Sequence, residues 1–176
     1  MISFCLKMFG SIFVITGTSG YGLALSRGYA RHLTELEQLR HMIFLLKGQI
    51  LYANAPLQEA FEAVGNRTEG ALAQLFVRVA DRIGQQQGEL FSVIWKEEVE
   101  SLKEEVMLSG EDRQSLVSLG DHLGFLDKEM QERNLLLYLE QLDLRIREMR
   151  EHKKERCRLY TSLGIMSGLF LAILLI

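Results

Sequence analysis

The final eighteen residues, Leu159–Ile176 (LYTSLGIMSGLFLAILLI), contain no Asp, Glu, Lys or Arg. The fourteen before them, Arg145–Arg158, hold seven Lys/Arg against three Glu. Eighteen helical residues rise about 27 Å, close to the roughly 30 Å hydrocarbon thickness of a bilayer. Within lipid each backbone polar group must be satisfied inside the segment, which favours a helix. A charged helix that runs into a membrane span over 159–176 is therefore expected, and the rest of the chain has to be compatible with that anchor.

A second uncharged run, Met8–Ser26, lies between Lys7 and Arg27. It reads as a first transmembrane helix, made less apolar by Gly10, Gly17, Gly20 and Gly22. A cleaved signal peptide is the competing reading, with one Lys ahead of the apolar run and Ala24-Leu25-Ser26 as a small-residue site. The charge asymmetry opposes it. Arg27, Arg31 and Arg40 follow the first run; Arg150, Lys153, Lys154, Arg156 and Arg158 precede the second. Basic residues are retained on the cytoplasmic side. The expected order is a short extracytoplasmic tail (1–7), a span (8–26), a cytoplasmic domain (27–158) and a second span (159–176), with both termini outside.

All 23 Asp/Glu and 19 of the 20 Lys/Arg lie between residues 26 and 158, enough chain for one modest core. The chain has a single Pro, and apolar residues recur at helical spacing. Leu33, Leu36, Leu39, Ile43, Leu46 and Ile50 continue the first span as a helix to about Tyr52. Asn54 is expected to cap, and Pro56 to open, a short helix ending at Gly65. Thr68 is the expected cap of a third helix running to about Gln86. Glu89–Leu108 reads as a fourth, with Phe91, Ile94, Trp95, Val99, Leu102 and Val106 on its apolar side. A fifth spans about 112–124, and a last one starts near Asp127 with the stripe Leu135, Leu139, Leu142, Ile146 and Met149. The expected fold is all-α: a bundle of about six helices whose first and last extend into the membrane.

Little here resembles catalytic chemistry. His32, His41, His122 and His152 are scattered, with no HExxH or CxxC, no phosphate-binding GxxxxGK[ST] loop and no GxSxG elbow. No enzyme activity, metal or cofactor is expected. Cys5 and Cys157 would sit at opposite membrane faces, which excludes a disulfide between them. Residues 85–112 carry eight Asp/Glu against Lys96 and Lys103. Glu97, Glu98, Glu100, Glu104 and Glu105 form a candidate docking face for a basic partner, or else a solvated face. The basic stretch could grip anionic lipid as well as mark topology. Nucleic-acid binding fits poorly, since the net charge is −3 and the basic stretch abuts the membrane. Gly164 with Gly168, and Thr18 with Gly22, are small-residue pairs that permit close helix approach in lipid, within one chain or in a homo-oligomer.

Four strings resemble the stage III sporulation protein AB family of endospore-forming bacteria. They are QILYANAPLQEAF (Gln49–Phe61), with Pro56, Leu57, Glu59 and Ala60; the lone Trp95; LGDHLGFLDKEMQ (Leu119–Gln131), with Gly120, Gly124, Asp127 and Gln131; and the terminal YTSLGIMSGLFLAILLI. The first is similar to a motif of the F-type platform proteins of type II secretion and type IV pilus systems. In the third, Gly120 and Gly124 share a helix face and allow close packing, and Asp127 can cap the final helix. Gln49 replaces an expected acidic residue, and Ala55 stands where Thr often precedes the Pro.

The resemblance implies a scaffold of the sporulation channel complex, in the mother-cell membrane around the forespore. It would anchor a cytoplasmic ATPase, the stage III sporulation protein AA, among other membrane proteins of the channel. The alternative is a lipid-binding or membrane-remodelling protein with no ATPase partner.

Overall fold

The computed structural model describes residues 2–85, 88–102, 105–124 and 127–175, and their side chains other than those of 2–12, 14, 15, 128, 172, 174 and 175. Among the described residues there are six helices and no strand: α1 Ile2–Leu51, α2 Leu57–Gly65, α3 Ala71–Gly84, α4 Phe91–Ser101, α5 Gly110–Leu123 and α6 Lys128–Leu175. The chain divides into two compact units. One is Thr34–Arg147; the other is Met1–Leu33 with Glu148–Ile176, so α1 and α6 each contribute to both.

In the 34–147 unit the expected stripes are the buried ones. Leu36, Leu39, Ile43 and Leu46 from α1, Leu75, Phe76 and Val79 from α3, and Leu116 and Leu123 from α5 are buried, as are Leu135, Leu139, Leu142 and Ile146 of α6. Helix α2 packs on α3, and α4 packs on both α3 and α5. The centre is aromatic. Trp95 lies 5.5, 5.9 and 6.0 Å from the ring centroids of Phe61, Phe76 and Phe91. Its indole N–H donates to the Leu116 carbonyl at 2.7 Å, so the one polar atom of the side chain is satisfied.

Several boundaries differ from the sequence expectation. Asn54 does not cap α2; its φ of 51° lets the chain turn out of α1, and Pro56 is the N-cap residue. Thr68 does not open α3. Its hydroxyl donates to the Val64 carbonyl at 2.9 Å, and Gly70, at φ 89°, begins the helix instead. Helix α4 stops at Ser101 rather than Leu108. Leu102, Val106 and Leu108 are still buried, and the Met107 amide donates to the Glu35 carboxylate of α1. Burial of these side chains beyond the end of α4 keeps the expected apolar positions inside although the α-helix has ended. Helix α5 opens at Gly110, two residues early, because Ser109 and Asp112 form a reciprocal capping box.

In the other unit α1 and α6 meet backbone to backbone. A Cβ on Gly22 would lie 2.5 Å from the Tyr160 carbonyl oxygen, and one on Gly164 2.8 Å from the Thr18 oxygen. The Tyr29 hydroxyl donates to the Met149 carbonyl at 3.1 Å, and the Arg156 guanidinium lies 5.9 Å from the Tyr29 ring centre. Among the described residues no helix is long and apolar enough to cross a membrane. The expected spans, 8–26 and 159–176, include side chains outside that description, at 8–12, 14, 15, 172 and 174–176.

Candidate interaction surfaces

The five glutamates proposed as a docking face do not form one surface. On α4, Glu98 turns inward: its side chain is only 13% exposed and bonds Arg78 at 2.8 Å and Arg82 at 3.3 Å. Glu97 bonds Arg82 at 2.9 Å, and Glu89 bonds the same guanidinium at 2.8 Å. Hydrogen bonds donated to these carboxylates, that to Glu89 foremost, hold the Arg82 proton more tightly than usual. Much of the negative charge of α4 is thus neutralised by α3. Glu100 and Glu105 are exposed, and Glu104 lies outside the described residues. Sequence reasoning missed Arg78 and Arg82, although their spacing of four places them on one helix face.

The PL-x-EA segment has a local structural role. Pro56 and Glu59 are exposed, with Glu59 in the first turn of α2 where its charge suits the helix dipole. Leu57 is half-buried, Ala60 is buried, and Phe61 is buried within the aromatic cluster. At the far end of α2, a recess of about 490 Å³ is lined by Gly65, Thr68, Gly70, Ala73, Val77 and Arg78.

The two glycines of Leu119–Gln131 are not equivalent. A Cβ on Gly120 would fall inside the Trp95 ring system, 2.6 Å from Cγ. One on Gly124 would meet Phe91 Cβ at an ordinary 3.4 Å. Downstream, the Asp127 carboxylate accepts from the Glu129 amide at 3.1 Å at the start of α6, as expected of a cap. Gln131 Nε2 donates to the Leu123 carbonyl at 2.8 Å, tying the end of α5 to the start of α6. Trp95, Gly120, Asp127 and Gln131 therefore act together as packing and capping residues.

Between α5 and α6 lies a polar groove of about 420 Å³. Tyr138 and Asn134 line it, and Tyr138 Oη and Asn134 Nδ2 are buried atoms without a hydrogen-bond partner among the described residues. Burial first, and the nearby Asp112 charge second, push the Tyr138 pKa above its ordinary value. Asp112 is itself buried and lies 3.6 Å from Arg145.

The basic residues Arg150, Lys153, Lys154, Arg156 and Arg158 are all exposed. Of the two glycines expected to pack the spans, Gly164 contacts Thr18 and Gly22, and Gly168 is buried. The Cys157 thiol donates to the Ser26 carbonyl at 3.8 Å; the side chain of Cys5 lies outside the described residues. No three His, Cys, Asp or Glu side chains among the described residues converge as a metal site would require.

The fold and its packing motif can be set beside known proteins. A solved structure of stage III sporulation protein AB (SpoIIIAB) superposes with a TM-score of 0.65 at 18% identity, covering 71% of this chain and 98% of that one. At that identity the likeness speaks for the fold alone. The stage III sporulation protein AB of Bacillus subtilis (strain 168) is 22% identical over 170 residues, covering 97% of this chain and 99% of the relative. The profile of the family described as stage III sporulation protein AB (spore_III_AB) matches residues 7–176, and the chain belongs to that family.

Proposed function

We propose that this protein is a two-pass membrane scaffold of the sporulation channel complex. It holds a cytoplasmic ATPase, the stage III sporulation protein AA, at the mother-cell membrane around the forespore. The observation that carries the reading is that α1 and α6 both leave the folded 34–147 unit and continue into a second unit with an apolar exterior. There, the large apolar side chains described between Leu159 and Ile173 are 44–67% exposed, far more apolar surface than water favours on one helix. The exposed basic run at 150–158 precedes that stretch, which supports a cytoplasmic 27–158 region and extracytoplasmic termini. No catalytic role is assigned to the chain.

The test is co-purification of the full-length chain, in mild detergent from sporulating cells, with that ATPase. Binding is expected to weaken when Glu100→Lys and Glu105→Lys are combined. Absence of binding at low salt, with both proteins folded, would overturn the reading. Exposure of Lys153, Lys154 and Arg158 favours a second reading, a lipid-gripping protein without an ATPase. That reading requires binding to anionic vesicles that disappears when the three are changed to Gln.

A further inference from the structure

The basic residues at the end of α6 are not alike. Arg156 lies over the Tyr29 ring and the Cys157 thiol touches the Ser26 carbonyl, so that side of the helix faces α1. Lys154 and Arg158 lie on another side. Successive helical residues turn by about 100°, so a step of four from Lys154 to Arg158, and again to Ser162, drifts by only about 40°. All three are exposed and, with Glu155 and Leu159, line a recess of about 330 Å³. Among the described residues neither cation is paired with a carboxylate. Glu155, the one acidic side chain of the recess, is 72% exposed and lies 3.7 Å from His152. The Ser162 hydroxyl is also without a partner among the described residues. Its neighbours Thr161 and Ser167 donate to carbonyls of their own helix at 2.9 and 3.1 Å, the usual outlet for a helical hydroxyl. Beyond Ser162 the same side of α6 turns apolar, with Ile165, Leu169 and Ile173 45%, 51% and 67% exposed.

We infer that this side of α6 binds one anionic phospholipid, with its phosphate between Lys154 and Arg158, its ester region at Ser162 and an acyl chain along Ile165, Leu169 and Ile173. The sequence of groups selects a lipid over a soluble anion. From Arg158 to Ile173 the helix advances about 22 Å, with cations at one end and only apolar side chains at the other. A ligand that matches the whole length has an anionic head and a long apolar tail. Two cations against one carboxylate leave the recess positive, which favours an anionic headgroup over a zwitterionic one. Arg158 offers a planar fork matched to two phosphate oxygens, and Lys154 a flexible point charge beside it. This inference rests on the two-span reading of α1 and α6 and holds with or without the ATPase. It differs from a general attraction to the basic run by assigning the lipid to two of its cations and one hydroxyl.

The test uses the full-length chain in two steps. It is first floated with vesicles of phosphatidylcholine alone. In detergent it is then titrated with phosphatidylglycerol or phosphatidylcholine while native mass spectrometry counts the bound lipids. The chain is expected to float, and to take up a single phosphatidylglycerol roughly tenfold more tightly than phosphatidylcholine. Lys154→Gln combined with Arg158→Gln should weaken phosphatidylglycerol binding roughly thirtyfold, and Ser162→Ala about fivefold. Lys154→Arg keeps the charge and should keep the binding. Arg147→Gln combined with Lys153→Gln removes the same charge outside the recess. It should change binding less than about twofold at physiological salt, where fields between exposed charges fade within about 8 Å. Equal binding of the two lipids, equal losses in the two double variants, or displacement of the lipid by excess inorganic phosphate would each overturn the inference. Failure to float with neutral vesicles would overturn the two-span reading and this inference with it. Flotation without a preference for phosphatidylglycerol would overturn the inference alone.

Discussion

The two units of this chain are tightest at opposite kinds of residue. In the 34–147 unit the closest approach is a tryptophan on a glycine: Trp95 fills the space a side chain on Gly120 would need, inside a cluster of phenylalanines. In the other unit it is glycine on backbone, Gly22 against Tyr160 and Gly164 against Thr18, while the large apolar side chains stay outside. Water rewards burial of large apolar groups, which makes bulk the packing currency of the first unit. In lipid that reward vanishes, and close approach of small residues holds helices together instead. On the proposed two-span reading, the same two helices pass from one regime to the other.

The sharpest way to break this contrast is at Trp95. Trp95→Ala removes a fully buried side chain and should cost about 3–5 kcal/mol, read as a fall in the denaturation midpoint of the full-length chain in detergent. Retention of the midpoint would mean the aromatic cluster is not the core. Next comes Gly120→Val, expected to cost about 1–3 kcal/mol by overpacking against Trp95. Gly124→Ala, with only an ordinary contact to Phe91, should stay within about 0.5 kcal/mol. Equal effects at the two glycines would contradict the geometry.

A smaller effect is expected at Arg40, whose guanidinium bonds both carboxylate oxygens of Asp143 at 2.5 and 3.0 Å. Both side chains are 42% exposed, so Asp143→Asn should cost only about 0.2–1 kcal/mol, less at high salt.

Tyr138→Phe should be close to neutral at pH 7, because the hydroxyl is buried without a partner. Its signature is in alkali. Burial raises the folded-state pKa above the ordinary 10.0, so the unfolded chain releases this proton first. The contribution is present below pH 10 and declines as pH rises further, and Tyr138→Phe should flatten that decline. An unchanged alkaline slope would place the hydroxyl in water.

The smallest effect on the 34–147 unit is expected from Gly22→Ile. It should leave the denaturation midpoint unchanged yet lower the yield of a disulfide between Ser26→Cys and the native Cys157, whose thiol touches the Ser26 carbonyl. A shifted midpoint with an unchanged disulfide yield would reverse the assignment of the two regimes.

The sequence made the helices legible because each bundle helix buries one stripe, and the residues at that spacing are the buried ones. What it hid was pairing between helices. The acidic run of α4 looks like an open surface until Arg78 and Arg82 of α3 are set against it, fifteen to twenty residues back along the chain. The end of α4 was hidden for a similar reason, since Glu35 of α1 receives the Met107 amide from far along the chain. Gly120 and Gly124 share a helix face, and only the Trp95 ring distinguishes them. The Asn134 Nδ2 and Tyr138 Oη, buried without a partner among the described residues, have no local signature, because partner and absence of partner look alike in a sequence.

The central claim is that α1 and α6 carry a cytoplasmic head on two spans. It is tested most directly by alkaline phosphatase fused in turn to each terminus and inserted between Gln85 and Gly88 of the full-length chain in cells. The account predicts activity at both termini and none at the insertion. Activity at the insertion, inactivity at either terminus, or a mature chain beginning at Ser26 or Arg27 would contradict it.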